Sequence, residues 1–160
     1  LHPVVIKTPE GIGTLRTDLR DIHDKGIGVA CSTCHAETAD HPLIEHTDDL
    51  EAFHTDIEVA HGELSCSSCH HPDDRDSLRL ADGQKRAFAE TTQLCAQCHG
   101  TQFRSYENGA HGGMVGHWDL SQGGRERNDC VVCHDPHSPA YPQVMPAAPP
   151  RDRFFNLKDK

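Results

Sequence analysis

All eight cysteines of this chain occur in four short strings of the same form, Cys-x-x-Cys-His, and no cysteine lies outside them. The strings are Cys31-Ser-Thr-Cys34-His35, Cys66-Ser-Ser-Cys69-His70, Cys95-Ala-Gln-Cys98-His99 and Cys130-Val-Val-Cys133-His134. Such a string is the attachment sequence for haem c: the two thiols form thioethers to the porphyrin, and the histidine binds the iron from one side. The sequence therefore predicts four covalently attached haem c groups.

Other chemistries also use paired cysteines. Cys-x-x-Cys units can build zinc ribbons or thioredoxin-like redox centres, and an even number of cysteines can form a disulfide framework. None of these arrangements requires a histidine directly after every second cysteine. With 14 histidines in 160 residues, four such placements are improbable by chance, so haem attachment is the preferred interpretation.

In these four motifs the sequence resembles the multihaem c-type cytochromes, specifically the small tetrahaem electron-transfer cytochromes. The resemblance covers residues 31–137. It implies a fold organised by closely packed haems, maturation outside the cytoplasm, and electron transfer at low potential. The implied location is periplasmic or extracellular. Because the chain begins with Leu1 rather than methionine, we expect an exported, processed chain whose signal or anchor is absent from this sequence.

The chemistry at each iron depends on its second axial ligand, which we call the distal ligand. Ten histidines remain after the four motif histidines, against two methionines, Met114 and Met145. Methionine would raise the potential of a site. Bis-histidine coordination at all four haems is therefore the simplest expectation, and low potentials are implied by the resemblance.

Five histidines are the preferred candidates for distal ligands: His137, His61, His111, His54 and His23. His137 follows the fourth motif directly, where a distal ligand is common in the cytochromes that this sequence resembles. His61 and His111 have glycine neighbours, which permit close approach to a porphyrin. His23 precedes Cys31 in a lead-in similar to that of His61 before the second motif.

The remaining histidines rank lower. His71 directly follows His70, as in class III c-type cytochromes, in which the second histidine binds a different haem. Four others are expected to be solvated: His2, His41, His46 and His117. For every candidate, the alternative role is a histidine that forms hydrogen bonds or contacts a haem propionate.

The elements that must position these residues are expected to be short. Hydrophobic residues make up 35% of the chain, and 13 glycines and 10 prolines interrupt it. We expect a mainly α fold with short helices, extensive loops and little regular sheet, in which haems fill the interior. One helix is predicted over about Thr47–Ala60, with His54 and His61 near one face, and another over about Lys85–His99. The Gly-rich stretch 106–124 is predicted to be a loop.

The whole chain, residues 1–160, is predicted to be a single tetrahaem domain. It comprises a lead-in (1–30), a haem-binding core (31–137) and a tail (138–160). Five of the ten prolines lie in residues 139–150, so the tail is expected to be extended. Its basic end suggests an arm that lies on a partner subunit; a strap over its own haems or a disordered terminus are the alternatives.

The charge pattern restricts the partners. The net charge is −10, and eleven acidic residues but no basic residue lie between Lys25 and Arg75. Nucleic acid and anionic membranes are therefore disfavoured as partners, and the chain has no apolar run long enough to cross a membrane. The acidic stretch is either a solvated surface or a docking face for a basic redox protein. We expect redox protein partners that are organised in a larger membrane-associated or periplasmic complex.

These features predict a tetrahaem cytochrome that carries electrons by outer-sphere transfer, as a subunit or periplasmic partner of a respiratory or photosynthetic assembly. One alternative is a polymerising extracellular conductive filament, a homopolymer in which a histidine of one chain completes a haem of the next. Another is a multihaem reductase of a small nitrogen or sulfur compound. Catalysis needs an exchangeable sixth position, which many multihaem nitrite reductases mark with lysine in place of the motif histidine. Since all four motifs here carry histidine, we expect an electron carrier rather than an enzyme.

Overall fold

A computed structural model describes residues 1–36, 43–51 and 53–141. In chain order the described residues form strands β1 (Val4–Lys7), β2 (Thr14–Arg20), β3 (Gly26–Ala30), β4 (Ser77–Arg79) and β5 (Lys85–Ala87), helices α1 (Thr91–Ala96) and α2 (Gly100–Glu107), and strands β6 (Met114–Gly116) and β7 (Arg125–Asn128). Short 3-10 helices are formed by Cys31–Thr33, Thr47–Asp49, Cys66–Ser68, Phe88–Glu90 and Cys130–Val132. None of the helices described is long and apolar enough to cross a membrane.

The prediction of a mainly α fold is wrong. The described residues form two α-helices of six and eight residues, and their strands make three small sheets. The helix predicted over about Thr47–Ala60 is reduced to the 3-10 turn Thr47–Asp49, and His54 has a φ of +61°, which a right-handed helix does not allow. Phe53 is 80% exposed. The apolar side of this segment therefore has little to pack against, and a short helix without packing is unstable in water.

The other local predictions hold only in part. Of the helix predicted over about Lys85–His99, residues 85–87 form β5 and only Thr91–Ala96 are α-helical. The predicted loop 106–124 contains the end of α2 and strand β6. Strands β5 and β6 each pair with another strand. Such pairing supplies backbone hydrogen bonds that a local sequence pattern does not report.

Each of the three sheets ends beside a Cys-x-x-Cys-His motif. The antiparallel pair β2–β3 leads from Ala30 directly into the first motif. The pair β4–β5 lies between the second and third motifs, where the Arg79 backbone N–H donates to the Cys69 carbonyl oxygen at 2.8 Å. In the third sheet β7 is central, parallel to β1 and antiparallel to β6. The Asp129 N–H donates to the Lys7 carbonyl oxygen at 2.9 Å, so this sheet holds the start of the fourth motif.

Very little apolar side-chain surface is buried by the polypeptide itself. Among the described residues, the buried hydrophobic side chains are Leu78 and Tyr106, which are 4% and 5% exposed. The sheets are too small to enclose more. The interior of the folded protein must therefore be completed by something other than these side chains.

A buried carboxylate ties the third motif to the fourth. Asp129, 1% exposed, accepts hydrogen bonds from the hydroxyls of Thr91 and Thr92 at the start of α1. It also accepts from the backbone N–H of Val131 at 3.2 Å and so caps the 3-10 turn that begins the fourth motif. Since α1 carries the first cysteine of the third motif, Asp129 sets the relative position of the two motifs.

The substitution Asp129→Ala is expected to destabilise the haem-loaded protein by about 2 kcal/mol, because two hydroxyls and one N–H lose their acceptor in a buried place. Asp119→Ala is the matched control. Asp119 is exposed, and its carboxylate accepts one backbone hydrogen bond from Ser121, so its loss should cost less than about 0.5 kcal/mol. Denaturant titrations of both variants test this, and equal losses would contradict it.

Candidate functional site

The four motifs share one pattern of backbone hydrogen bonds. Each begins with a turn in which the first cysteine carbonyl accepts a hydrogen bond from the motif histidine N–H, at 2.9 to 3.0 Å. The N–H of the second cysteine donates to the same carbonyl at 3.2 to 3.3 Å. This turn holds the two cysteines and the histidine of each motif close together. All eight thiols are free.

Each motif histidine faces a second histidine across a gap of nearly constant size. The ring centroids are 6.0 to 6.3 Å apart and the ring planes are within 17° to 22° of parallel. The pairs are His35 with His54, His70 with His137, His99 with His61, and His134 with His111. Every motif histidine therefore has one partner histidine, and each partner comes from the same chain.

The gap has the dimensions that an iron with two axial imidazoles requires. A metal–imidazole nitrogen bond is about 2 Å long, and a ring nitrogen lies about 1 Å from the centre of its ring. Two imidazoles on opposite sides of one metal ion therefore have centroids roughly 6 Å apart. The residues present thus fit a haem at every motif, with the two cysteines at its edge and one histidine on each side.

Four of the five preferred distal candidates lie in these pairs, and His23 does not. His23 is exposed in the turn between β2 and β3, where its N–H donates to the Asp21 carboxylate at 2.8 Å. His71, the lower-ranked candidate, accepts a hydrogen bond at Nδ1 from the Asp73 N–H at 3.1 Å. The ring of His71 is thereby used in a local turn. Among the described residues, no cluster of three or more His, Cys, Asp or Glu side chains is arranged to bind a metal ion.

A comparison with protein-family models bears directly on these motifs. Residues 58–103 match the doubled CXXCH motif family. This match supports a multihaem c-type cytochrome. The matched segment contains the second and third motifs, and CXXCH motifs indicate covalently bound haem c. Comparisons with curated proteins and with solved structures gave no match.

Two histidines of the haem sites are oriented by backbone carbonyls. Nδ1 of His61 lies 3.0 Å from the Pro136 carbonyl oxygen, and Nδ1 of His134 lies 2.8 Å from that of Pro139. A carbonyl oxygen can only accept, so Nδ1 is the protonated nitrogen in both rings. Nε2 is then left free to bind iron, and the hydrogen bond makes it a stronger ligand.

One four-residue segment, 134–137, contacts three of the four motifs or their partner histidines. His134 belongs to the fourth motif, the Pro136 carbonyl holds the partner ring of the third motif, and His137 faces the second motif. The Ala60 N–H donates to the His137 carbonyl oxygen at 2.8 Å, which locks this segment to the chain beside His61. The first motif is attached separately, through a 3.0 Å hydrogen bond from the Ser32 N–H to the Asp76 carboxylate. The second, third and fourth sites are therefore coupled through one short segment.

Burial sets the protonation of groups at these sites. Desolvation, together with the nearby His137 and Arg75, lowers the pKa of His70, so its ring is neutral near pH 7 and available as a ligand. Desolvation raises the pKa of the Cys69 thiol. The third and fourth motifs are in contact through Asp129, which precedes Cys130 and accepts hydrogen bonds from Thr91 and Thr92 on the helix that carries Cys95.

The loop that carries His111 packs on a ring through a glycine. Gly112 has a φ of +86°, and a Cβ atom there would lie 2.5 Å from the Tyr106 ring. A side chain at this position would therefore have to displace either the ring or the loop. The sequence pattern Gly-Ala-His-Gly-Gly indicates the flexibility of this loop, but the packing partner is visible only in the structure.

Gly112→Ala is expected to destabilise the holoprotein by at least about 2 kcal/mol more than Gly83→Ala does, because it adds a clash with Tyr106. Gly83 has a nearly identical φ of +84° and nothing within 4 Å of its added Cβ, so its variant suffers backbone strain alone. The clash should also move His111 away from its partner. Thermal unfolding measures the loss of stability, and carbon monoxide titration measures the displacement of His111. Equal results for Gly112→Ala and Gly83→Ala would show that the contact of Gly112 with Tyr106 does not matter.

Proposed function

We propose that this chain is a tetrahaem c-type cytochrome that transfers electrons between redox proteins by an outer-sphere mechanism, with two axial histidines at each iron. The four parallel ring pairs carry this proposal, since each pairs one motif histidine with one other histidine across a gap that fits one iron. The proposed axial pairs are His35 with His54, His70 with His137, His99 with His61, and His134 with His111.

Haem, when bound, supplies one-electron exchange between ferric and ferrous iron. The chain supplies the geometry around it. The two paired histidines at each motif would bind the iron, one from each side. The carbonyls of Pro136 and Pro139 accept from Nδ1 of His61 and His134. These hydrogen bonds would make both imidazoles stronger donors to an iron, and stronger donation would favour the ferric state and a lower potential.

Close packing of the sites supports transfer within the chain. Asp129, which directly precedes Cys130, accepts hydrogen bonds from Thr91 and Thr92 on α1, the helix that carries Cys95, and so brings the third and fourth sites together. The Ala60 N–H donates to the His137 carbonyl, which brings together the distal sides of the second and third sites. The Ser32–Asp76 hydrogen bond places the first motif next to the chain that follows the second.

The same ring pairs favour an electron carrier over the two alternatives. A reductase needs an iron with an exchangeable position, whereas each motif histidine here has a partner ring. A filament that shares ligands between subunits needs a histidine from the next chain, whereas all four partners belong to this chain. We therefore assign neither catalysis nor ligand sharing to this protein.

We place the protein outside the cytoplasm, in the periplasm or beyond it, where the resemblance implies that haem c is attached. We propose that it works there with redox proteins, as a partner or subunit of a respiratory or photosynthetic assembly. Of the tail (138–160) that the sequence suggested as an arm for a partner subunit, residues 142–160 lie outside the described residues, and Pro139 and Tyr141 contact His134 of this chain.

The acidic stretch is proposed to receive a basic redox partner. Its described acids from residue 43 to 63 are all exposed, and this part of the chain also carries two of the proposed ligands, His54 and His61. The acids are Glu45, Asp48, Asp49, Glu51, Asp56, Glu58 and Glu63. A basic protein drawn to this face by its charge would therefore meet the first and third sites.

Reversing two charges tests this face. The double variant Asp48→Lys/Asp56→Lys is expected to oxidise about ten-fold more slowly than the native protein when reduced holoprotein is mixed with a basic ferric c-type cytochrome at low ionic strength. Asp18→Lys/Glu107→Lys makes the same charge change at exposed positions elsewhere. Stopped-flow measurements give both oxidation rates. Equal slowing by the two double variants would show that the net charge of the protein, and not this acidic face, controls the rate.

Haem stoichiometry and spin state test the function as a whole. The mass of the holoprotein should exceed that of the polypeptide by four haems, and ferric paramagnetic resonance should show low-spin signals alone. Fewer than four haems would contradict the tetrahaem proposal. A high-spin signal that accounts for one haem per chain would contradict closure of all four sites and favour the reductase.

A further inference from the structure

Two buried side chains beside the fourth motif have polar atoms without hydrogen-bond partners. Arg127 on β7 is 7% exposed and Tyr106 on α2 is 5% exposed. Nε and Nη2 of Arg127 and the hydroxyl of Tyr106 have no partner. The guanidinium lies over the tyrosine ring, with Cζ 3.7 Å from the ring centroid. The three unpartnered atoms therefore belong to one cluster.

Such a cluster is unfavourable unless an acceptor completes it. Burial removes the water that would bind these N–H and O–H groups, and each buried donor without a hydrogen bond destabilises the fold. The contact of the guanidinium with the Tyr106 ring offsets part of the cost of burying the charge. It offers no acceptor to Nε, to Nη2 or to the hydroxyl.

The buried carboxylate two residues further along the chain is already occupied. Asp129 accepts from the hydroxyls of Thr91 and Thr92 and from the Val131 N–H. Within the described ranges, none of the ion pairs involves Arg127. The acceptor that Arg127 lacks must therefore come from outside the described polypeptide.

The arrangement of donors specifies the chemistry of that acceptor. Nε and Nη2 form one edge of the guanidinium, and two parallel N–H groups match the two oxygens of a carboxylate. The Tyr106 hydroxyl adds a neutral donor, which can bind one of the same oxygens. The cluster thus suits a singly charged carboxylate that is itself taken out of water.

The position of the cluster indicates the source. Cys130 follows Arg127 by three residues, and the Tyr106 ring packs against Gly112, next to His111. The cluster therefore lies next to His111, the histidine that faces the fourth motif. On the proposed function, the carboxylates brought into this region are the propionates of haem. We propose that Arg127 and Tyr106 bind a haem propionate and keep it ionised inside the folded protein.

The proposal rests on the proposed function and predicts a redox consequence. A cation next to a buried propionate holds the pKa of that carboxylate low, because it favours the charged form. The potential of the associated haem is then insensitive to pH around neutrality. Without the guanidinium, the propionate should gain a proton on reduction, and that potential should become dependent on pH.

Four variants of the haem-loaded protein test this. Arg127→Met removes both the positive charge and the pair of parallel N–H donors, whereas Arg127→Lys keeps the charge but not the pair. Tyr106→Phe removes the hydroxyl and keeps the ring that packs against the guanidinium. Arg104→Met is the control, since it removes the same charge from an exposed position on α2. The readouts are the propionate bands in the redox-induced infrared difference spectrum and the haem potentials measured as a function of pH.

We expect Arg127→Met to shift a propionate band and to make one haem potential dependent on pH. Arg127→Lys should keep the haem potential independent of pH but should not keep the native band, because an ammonium group lacks the two parallel N–H donors of arginine. Tyr106→Phe should shift the same band to a smaller extent. The control should match the native protein. If Arg127→Met does not assemble, Arg127→Lys and Tyr106→Phe decide the result.

Two outcomes would overturn the proposal. Native bands and potentials in both Tyr106→Phe and Arg127→Lys would mean that the two side chains serve packing alone. A band that appears only when acetate is added would mean that the cluster binds a free carboxylate instead of a propionate. Either result, obtained on a protein with four low-spin haems, leaves the proposed function intact. Fewer haems or a high-spin haem would count against the proposed function itself.

Discussion

Replacing His54, His61, His111 or His137 by alanine is expected to create one haem per chain that binds carbon monoxide when reduced, whereas the native holoprotein should bind almost none. Each of these rings is one of the two that face each other at a motif, 6.0 to 6.3 Å apart between centroids. Removing one ring leaves the motif histidine in place and opens the opposite side of the same iron.

The matched controls are His23→Ala and His71→Ala. Both residues were candidates by sequence, but His23 lies in the exposed turn after β2, and Nδ1 of His71 accepts the Asp73 N–H. Their variants should behave as the native protein does. Titration of the reduced holoprotein with carbon monoxide, followed in the visible spectrum, gives the number of open sites per chain.

A methionine at the same positions provides a second, graded result. His61→Met should keep the third site six-coordinate and raise its potential by about 100 mV or more, since thioether ligation favours ferrous iron. Potentiometric titration would show the potential of one haem separating from the potentials of the other three.

For the alanine variants, carbon monoxide binding by His23→Ala, or none by His54→Ala, would show that the proposed pairing at the first site is wrong.

The chain without haem is expected to be largely unfolded. Of the described hydrophobic side chains, only Leu78 and Tyr106 are buried, while Phe53 is 80% and Trp118 74% exposed. Burial of two side chains cannot offset the conformational entropy of a chain of this length. Stability must therefore come from groups that bind only the folded state.

Expression of the polypeptide without haem attachment tests this expectation. Far-ultraviolet circular dichroism should show mostly irregular chain, thermal unfolding should lack a cooperative transition, and backbone amides should exchange almost as fast as in a random coil. The holoprotein in the same buffer is the control. A compact chain without haem that melts cooperatively would show that the polypeptide has a core of its own.

The errors in the predicted fold have a common origin. The helix expected over about Thr47–Ala60 was inferred from apolar spacing, yet spacing favours a helix only where another surface covers the apolar side. Strands β1 and β7 show the opposite case. They lie far apart in the described chain and pair in parallel, so the pairing of β1 depends on a strand that no local sequence pattern indicates.

The distal histidines show most clearly what a linear reading leaves open. His54 and His61 were expected near one face of one helix, but they face two different motifs, the first and the third. The positive φ of His54 is incompatible with the helix that would have placed them together. Glycine neighbours and proximity to a motif favoured His61 and His111 but could not say which iron each would face. The Arg127–Tyr106 cluster had no signal in the sequence, because its two residues lie on different elements.

The sequence by itself determined the number of motifs and the haem c chemistry that they indicate, because the two thiols and the adjacent histidine lie within five consecutive residues. Local covalent geometry is enough to hold them around one group. The tertiary structure decided which histidine faces each motif, how segment 134–137 joins three sites, and where a buried arginine lacks a partner. These relations depend on residues distant in the chain, and only packing and strand pairing bring such residues together.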